Sequence, residues 1–163
     1  MMRTLRTASL HLELQPQTAA HAEEMFAVLS DPAIYEYENE PPESVEWLRA
    51  RFARLESRTS ADGRQQWLNW VVRLPTSELA GYVQATVHAD GVASIAYVFA
   101  RRYWGRGIAR EATEAMIAEL ESQYAVRLLT AVFKQENERS HRLLERLGFL
   151  AAPAKEYINR QVE

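Results

Sequence analysis

The chain predicts a mixed α/β domain in which a mostly antiparallel central sheet is flanked by helices. Three observations carry that prediction. The spacing of apolar residues switches between the period of a strand and that of a helix along the chain. Asp90-Gly91 lies between two runs rich in β-branched and aromatic residues, as a hairpin turn does. Helical stretches then separate the later strands, the arrangement of crossovers packed on a sheet.

The elements follow in order. Ala8, Leu10, Leu12 and Leu14 alternate with Ser9, His11 and Glu13, which predicts a half-buried strand ended by Pro16. Thr18 caps a helix whose Ala22, Met25, Phe26 and Leu29 share a face, and Asp31-Pro32 stops it. A second helix starts near Glu43, with Val45, Leu48, Phe52 and Leu55 at helical spacing. Trp67 to Leu74, Leu79 to His88 and Ala93 to Phe99 read as three successive strands. Ile108, Ala112, Met116 and Leu120 line the face of a third helix, and Arg127 to Phe133 predicts another strand. Asn137 to Leu147 is a short helix closed by Gly148, and Phe149–Ala152 and Lys155–Gln161 read as two short final strands around Pro153. There is no internal repeat and no linker, so residues 1–163 are expected to form one domain.

Composition narrows the function classes. Hydrophobic residues make up 47% and charged residues 25% of 163 residues, the balance of a folded globular chain. A formal net charge of -3 gives the whole chain no electrostatic footprint for nucleic acid or an anionic membrane. Without cysteine there is no disulfide, no thiolate metal site and no cysteine nucleophile. The basic start is not followed by a signal-peptide apolar run, and no stretch of about 18 apolar residues occurs. A cytoplasmic location is the expectation, with no metal, nucleic-acid or membrane partner.

Chemistry concentrates where the Ala93–Phe99 strand runs into Trp104-Gly105-Arg106-Gly107-Ile108-Ala109 and a helix opens. A helix start presents backbone N–H groups without internal partners, at the positive end of the helix dipole. Glycine at 105 and 107 lets an anion approach those groups, and Arg101, Arg102, Arg106 and Arg110 surround the same turn. A solvated structural turn would use the same residues. A dinucleotide fingerprint would need glycine where Arg110 stands, and a nucleoside-triphosphate loop would need a Gly-Lys-Ser/Thr ending that is absent.

This segment resembles the pyrophosphate loop of the GNAT superfamily of acetyl-CoA-dependent N-acetyltransferases, Gln/Arg-x-x-Gly-x-Gly/Ala, with Gly107 and Ala109 as its small residues. Trp104 stands where the general pattern has Gln or Arg. Tyr103-Trp104-Gly105-Arg106-Gly107-Ile108-Ala109-Arg110-Glu111-Ala112 is similar to the form used by the ribosomal-protein (alanine) N-acetyltransferase branch. Asn137-Glu138-Arg139-Ser140, followed by Leu143-Leu144-Glu145-Arg146-Leu147-Gly148-Phe149, resembles a second motif of that branch, and Asp31-Pro32 with Tyr35 a third.

The resemblance implies a single-domain GNAT-like fold and acetyl-CoA as co-substrate. It implies that backbone groups of Trp104, Gly105, Arg106, Gly107, Ile108, Ala109 and Arg110 bind its pyrophosphate. Val98 and Phe99 would pair with the pantetheine arm as an added strand, and a backbone N–H at Phe99 would polarise the thioester carbonyl. Asn137 would either contact the pantetheine or serve as a helix N-cap. Ser140 would protonate the departing thiolate or else pack as a small residue. The tyrosine acid that many members carry four residues later is Leu144 here. The base is not singled out: His88, Tyr97, Glu36 and Glu38 are candidates by type, and a water relay is an equal alternative.

Tyr35, Glu36 and Glu38 lie in the connection that overhangs the acceptor pocket in this superfamily, where acids and aromatics suit a cationic amine. A solvated loop would read the same way. The expected reaction is direct attack, in a ternary complex, by a primary amine: a protein N-terminus or a small cationic amine. The rival is a catalytically silent domain that binds CoA or a partner. The tail after Phe149 is short, so the final hairpin would be abbreviated or completed by a second copy in a homodimer.

Overall fold

Apolar patterning and turn chemistry resolve into one curled sheet with helices on its faces. The computed structural model describes residues 1–37 and 39–151. Among them β1 (Leu5–Arg6), β2 (Glu13–Pro16), β3 (Gln65–Arg73), β4 (Leu79–His88), β5 (Val92–Phe99) and β6 (Leu128–Thr130) pair in sequence order. The helices are α1 (Ala22–Leu29), α2 (Val45–Leu55), α3 (Ile108–Gln123) and α4 (Glu138–Arg146). Strands β1 to β5 are antiparallel to their neighbours, and only β6 runs parallel, to β5. The crossover through α3 makes that parallel pairing feasible, because parallel neighbours need a long connection.

The centre of the sheet reads as buried on both faces. Trp70, Val71 and Val72 of β3 are fully buried in succession, and Val83 of β4 and Ala93 of β5 continue that core. Ala22 and Met25 of α1, Leu48 and Phe52 of α2, and Ile108, Ala112, Met116 and Leu120 of α3 close over it. These are the helix faces that three- and four-residue spacing selects.

Two of the predicted strands are corrected. Residues 8–14 are not one strand: β1 and β2 form a hairpin around a loop in which His11 has φ 53°. The Thr7 hydroxyl accepts the Leu12 N–H, and the Glu111 carboxylate of α3 accepts the Leu10 N–H at 2.7 Å. Side-chain acceptors hold that backbone where alternation predicted a ladder. The strand expected over Arg127–Phe133 stops at Thr130, because its last partner on β5 is Ser94 and the two chains part there. Val132 and Phe133 have strand propensity but no strand to pair with, and tertiary context decides.

Of the final strands, Phe149–Ala151 is irregular rather than extended ladder. Ala152 and the Lys155–Gln161 strand lie outside the described residues. No helix among the described residues is long and apolar enough to cross a membrane.

Candidate active site

The parting of β5 from β6 makes the site. Their pairing covers Val92↔Leu128, Ala93↔Leu129 and Ser94↔Thr130, and the Ser94 and Thr130 hydroxyls meet at 3.2 Å where it ends. Beyond Ser94 the edge of β5 opens on a cleft of about 530 Å³. The Ala100 N–H reaches back to Ala80 O on the β4 side, so alternation turns the Phe99 N–H toward the cleft edge. The indole N–H of Trp104 donates to Phe99 O at 2.8 Å, which satisfies that carbonyl and leaves the N–H as the free polar group there. Gly81 sets the strand position: a Cβ on it would meet Val98 O at 2.0 Å and the Phe99 Cα at 2.8 Å.

The glycine turn stands at the head of the cleft. Gly105 and Gly107 have φ 73° and 78°, left-handed values that side chains disfavour. Gly107 caps α3 without a side chain, and the first intrahelical bond is Glu111 N to Gly107 O. The N–H groups of Ile108, Ala109 and Arg110 therefore have no partner inside the helix. A Cβ at Gly105 would meet nothing within 4 Å, so open space lies in front of the turn.

The four arginines of the turn separate. Arg110 lines the cleft and pairs with Glu114 at 2.8 Å. Arg102 and Arg106 lie over the Tyr103 ring, at 4.9 and 5.8 Å from its centroid, and Arg101 is exposed.

Helix α4 supplies the opposite wall. Asn137 is its N-cap, with Oδ1 accepting the Ser140 N–H at 3.1 Å, so its capping role is formed while its side chain still lines the cleft. Ser140, Arg139, Arg142 and Arg146 also line it. Leu144 is buried. Arg139 stacks on Trp104 with its guanidinium 3.3 Å from the ring centroid. Partial burial lowers the Arg139 pKa, while Tyr97, Tyr37 and Glu36 pull it back up. Tyr97, on β5, lines the cleft with a buried hydroxyl that lacks a well-formed hydrogen bond. Burial pushes that phenol above the usual tyrosine range, and Ser140 and Arg139 oppose the shift.

The acceptor-side residues divide differently from the sequence expectation. Tyr35 does not line the cleft: its hydroxyl donates to Leu29 O, and burial pushes its pKa up to about 12. Glu36 is exposed and off the lining, Glu38 lies outside the described residues, and Tyr37 and Asn39 face the cleft instead. His88 sits at the β4–β5 hairpin, in a separate hollow with Asp90 and Arg127. From the sequence, Tyr37 belongs to the stretch expected over the acceptor pocket and Arg139 to the second motif, but neither is given a role of its own. The Arg139 signal was there in one respect: a guanidinium on α4 complements an aromatic ring at a position where the general motif has Gln or Arg.

One cleft thus joins a helix start with N–H groups unused inside the helix to a strand end that has left its neighbour, an arrangement that suits an anionic carrier with an extended arm. The chain belongs to the GNAT acetyltransferase family, whose acetyltransferase domain model matches residues 11–150. It is an acetyl-CoA-dependent N-acetyltransferase, moving an acetyl group from acetyl-CoA to an amine.

Solved structures agree on the fold. A RimL ribosomal L7/L12 alpha-N-protein acetyltransferase in complex with coenzyme A has TM-score 0.81 at 15% identity, covering 93% of this chain and 86% of that one. The ribosomal-protein-S5-alanine acetyltransferase from Vibrio fischeri has TM-score 0.78 at 17% identity, over 91% and 84% of the two chains. A GNAT-family acetyltransferase from Bacillus anthracis has TM-score 0.75 at 19% identity, over 93% and 86%. The residues present fit acetyl-CoA: the turn offers free N–H groups and open space to a pyrophosphate, and β5 offers an unpaired edge to an extended arm.

Proposed function

We propose that this enzyme acetylates a primary amine, a protein N-terminus or a small cationic amine, by direct attack in a ternary complex. The carrying observation is that a single cleft is lined by the glycine turn, by the end of β5 and by Tyr37 and Asn39. A carrier and an acceptor would share one chamber, as direct transfer requires. The absence of cysteine agrees with a route that has no acetyl-cysteine intermediate. Likeness in fold to two ribosomal-protein acetyltransferases supports a protein N-terminus among the acceptors.

When bound, acetyl-CoA supplies the activated acetyl group; the chain's part is to hold, orient and polarise it. Backbone N–H groups from Gly105 to Arg110, with the Arg110 side chain, hold the pyrophosphate. Val98 and Phe99 extend the sheet to the pantetheine arm, and the Phe99 N–H stabilises negative charge on the thioester oxygen. Asn137 fixes the start of α4 and thereby Ser140, which gives a proton to the sulphur. Tyr37 and Asn39 meet the incoming amine.

Two measurements test this proposal. Acetyl-CoA is expected to raise the thermal midpoint of the wild type, and Gly107→Glu, which puts a carboxylate before the free N–H groups, to abolish the rise. No shift in the wild type overturns the site. CoA release with a panel of peptide N-termini, polyamines and other primary amines is expected to find an acceptor, with acetylation confirmed by product mass. Tight CoA binding without release for any amine overturns catalysis in favour of a silent binding domain.

A further inference from the structure

We propose that Tyr97 acts with Ser140 as a hydroxyl pair that donates the proton to the departing CoA sulphur. This inference rests on the direct-transfer reading above and adds Tyr97 to the Ser140 which that reading names.

Two observations lead to it. The Tyr97 oxygen is one of three side-chain polar atoms among the described residues that are buried without a hydrogen-bond partner. Of those three residues, only Tyr97 lines the cleft. A buried hydroxyl left unsatisfied is costly, and in a cleft a bound ligand is the group placed to complete it. Second, Tyr97 of β5 and Ser140 of α4 line the same cleft from its two walls. Tyr97 lies two residues before Phe99, on the strand whose end the acetyl arm would follow.

The direction of proton flow follows from the surroundings. Burial holds Tyr97 as a neutral phenol at neutral pH, and a neutral phenol is a donor rather than a base. In the transfer the acceptor nitrogen bonds to the acetyl carbon, and the carbon–sulphur bond breaks with its electrons going to sulphur. The hydroxyl pair delivers one proton to that sulphur. The nitrogen sheds one proton to water, and the pair regains one from water, so both hydroxyls are restored.

The test pairs binding with turnover. CoA and desulpho-CoA are titrated into the wild type, Tyr97→Phe and Ser140→Ala by calorimetry. The wild type is expected to prefer CoA, and Tyr97→Phe to weaken CoA about tenfold, the scale of one hydrogen bond to an ionised group, while leaving desulpho-CoA unchanged. In turnover, Tyr97→Phe is expected to lower kcat about 10²-fold with KM for acetyl-CoA little altered, and the double variant to be no slower than the worse single one. Equal loss of CoA and desulpho-CoA, or no loss of either, overturns the pair. So does an unchanged kcat. If Tyr97→Phe does not fold, Ser140→Ala carries the same comparison, and no CoA preference over desulpho-CoA in the wild type overturns the proposal outright. A wild type without turnover defeats the transfer reading, while the binding comparison still decides the pair.

Discussion

His21 shows how one side chain links a helix start to pH. Thr18 and His21 stand in the spacing of a capping box, and His21 Nδ1 accepts the Thr18 N–H at 3.0 Å. Acceptance requires Nδ1 without a proton. Burial lowers the His21 pKa below its ordinary 6.5, with Arg73 adding to the effect. The folded state thus favours the neutral ring, and stability is full above pH 6.5 and is lost as pH falls through the folded pKa. Thermal midpoints at about pH 5 and about pH 7.5 should differ more for the wild type than for His21→Gln, whose amide oxygen accepts at any pH. An equal difference in the two proteins would show that the ring's proton does not matter. Nothing in the sequence pattern predicted this box, since the usual residue at its third helical position is Glu or Gln.

At the scale of elements, α4 has the most to lose from its cap. It is nine residues long and buries only Leu144, so neither length nor packing secures it. The Asn137 Oδ1 bond to the Ser140 N–H holds its first turn and, with it, Ser140 and Arg139 in the cleft wall. Asn137→Ala is expected to cost about 1 kcal/mol of stability and to raise KM for acetyl-CoA more than it lowers the thermal midpoint suggests. Asn137→Asp or Asn137→Ser, which keep a capping oxygen, should recover the stability. If alanine changes neither stability nor KM, the cap is idle. The sequence had left Asn137 between cap and ligand contact, because an Asn opening a helix motif serves both; only coordinates display the Oδ1 bond together with a side chain on the cleft.

At the scale of the molecule, the N-terminal residues tie the sheet to α3. Arg3 meets the buried Glu119 carboxylate through two bonds at 2.9 Å, and Trp70, at the centre of β3, donates its indole N–H to Arg3 O. The pair is lopsided, since Glu119 is 4% exposed and Arg3 lies largely in solvent. Removing Arg3 leaves a buried carboxylate without its cation, which is costlier than losing a surface arginine. Arg3→Ala should lower the thermal midpoint more than Arg6→Ala, whose partner Glu13 is far less buried. Adding Glu119→Gln to Arg3→Ala should restore part of the loss. Equal midpoints for the two single variants would mean that the Arg3–Glu119 pair adds nothing.

The sequence by itself determined the kinds of element and their order. It located β4 residue for residue, the hairpin at Asp90-Gly91, and the glycine turn that opens α3, because periodicity, turn preference and capping act between residues close along the chain. It also carried the family resemblance, through the Trp104–Ala109 and Asn137–Phe149 segments. Tertiary structure alone decided where β5 leaves β6, that residues 7–12 fold into a loop under Glu111, that Arg139 covers Trp104, and that Tyr37 rather than Tyr35 faces the cleft. It also brought Tyr97 and Ser140 into one cleft. Each of these depends on strand register and on how α4 crosses the sheet, and a register shift of one residue turns a side chain to the other face. Contacts between residues some forty positions apart leave no local period to read.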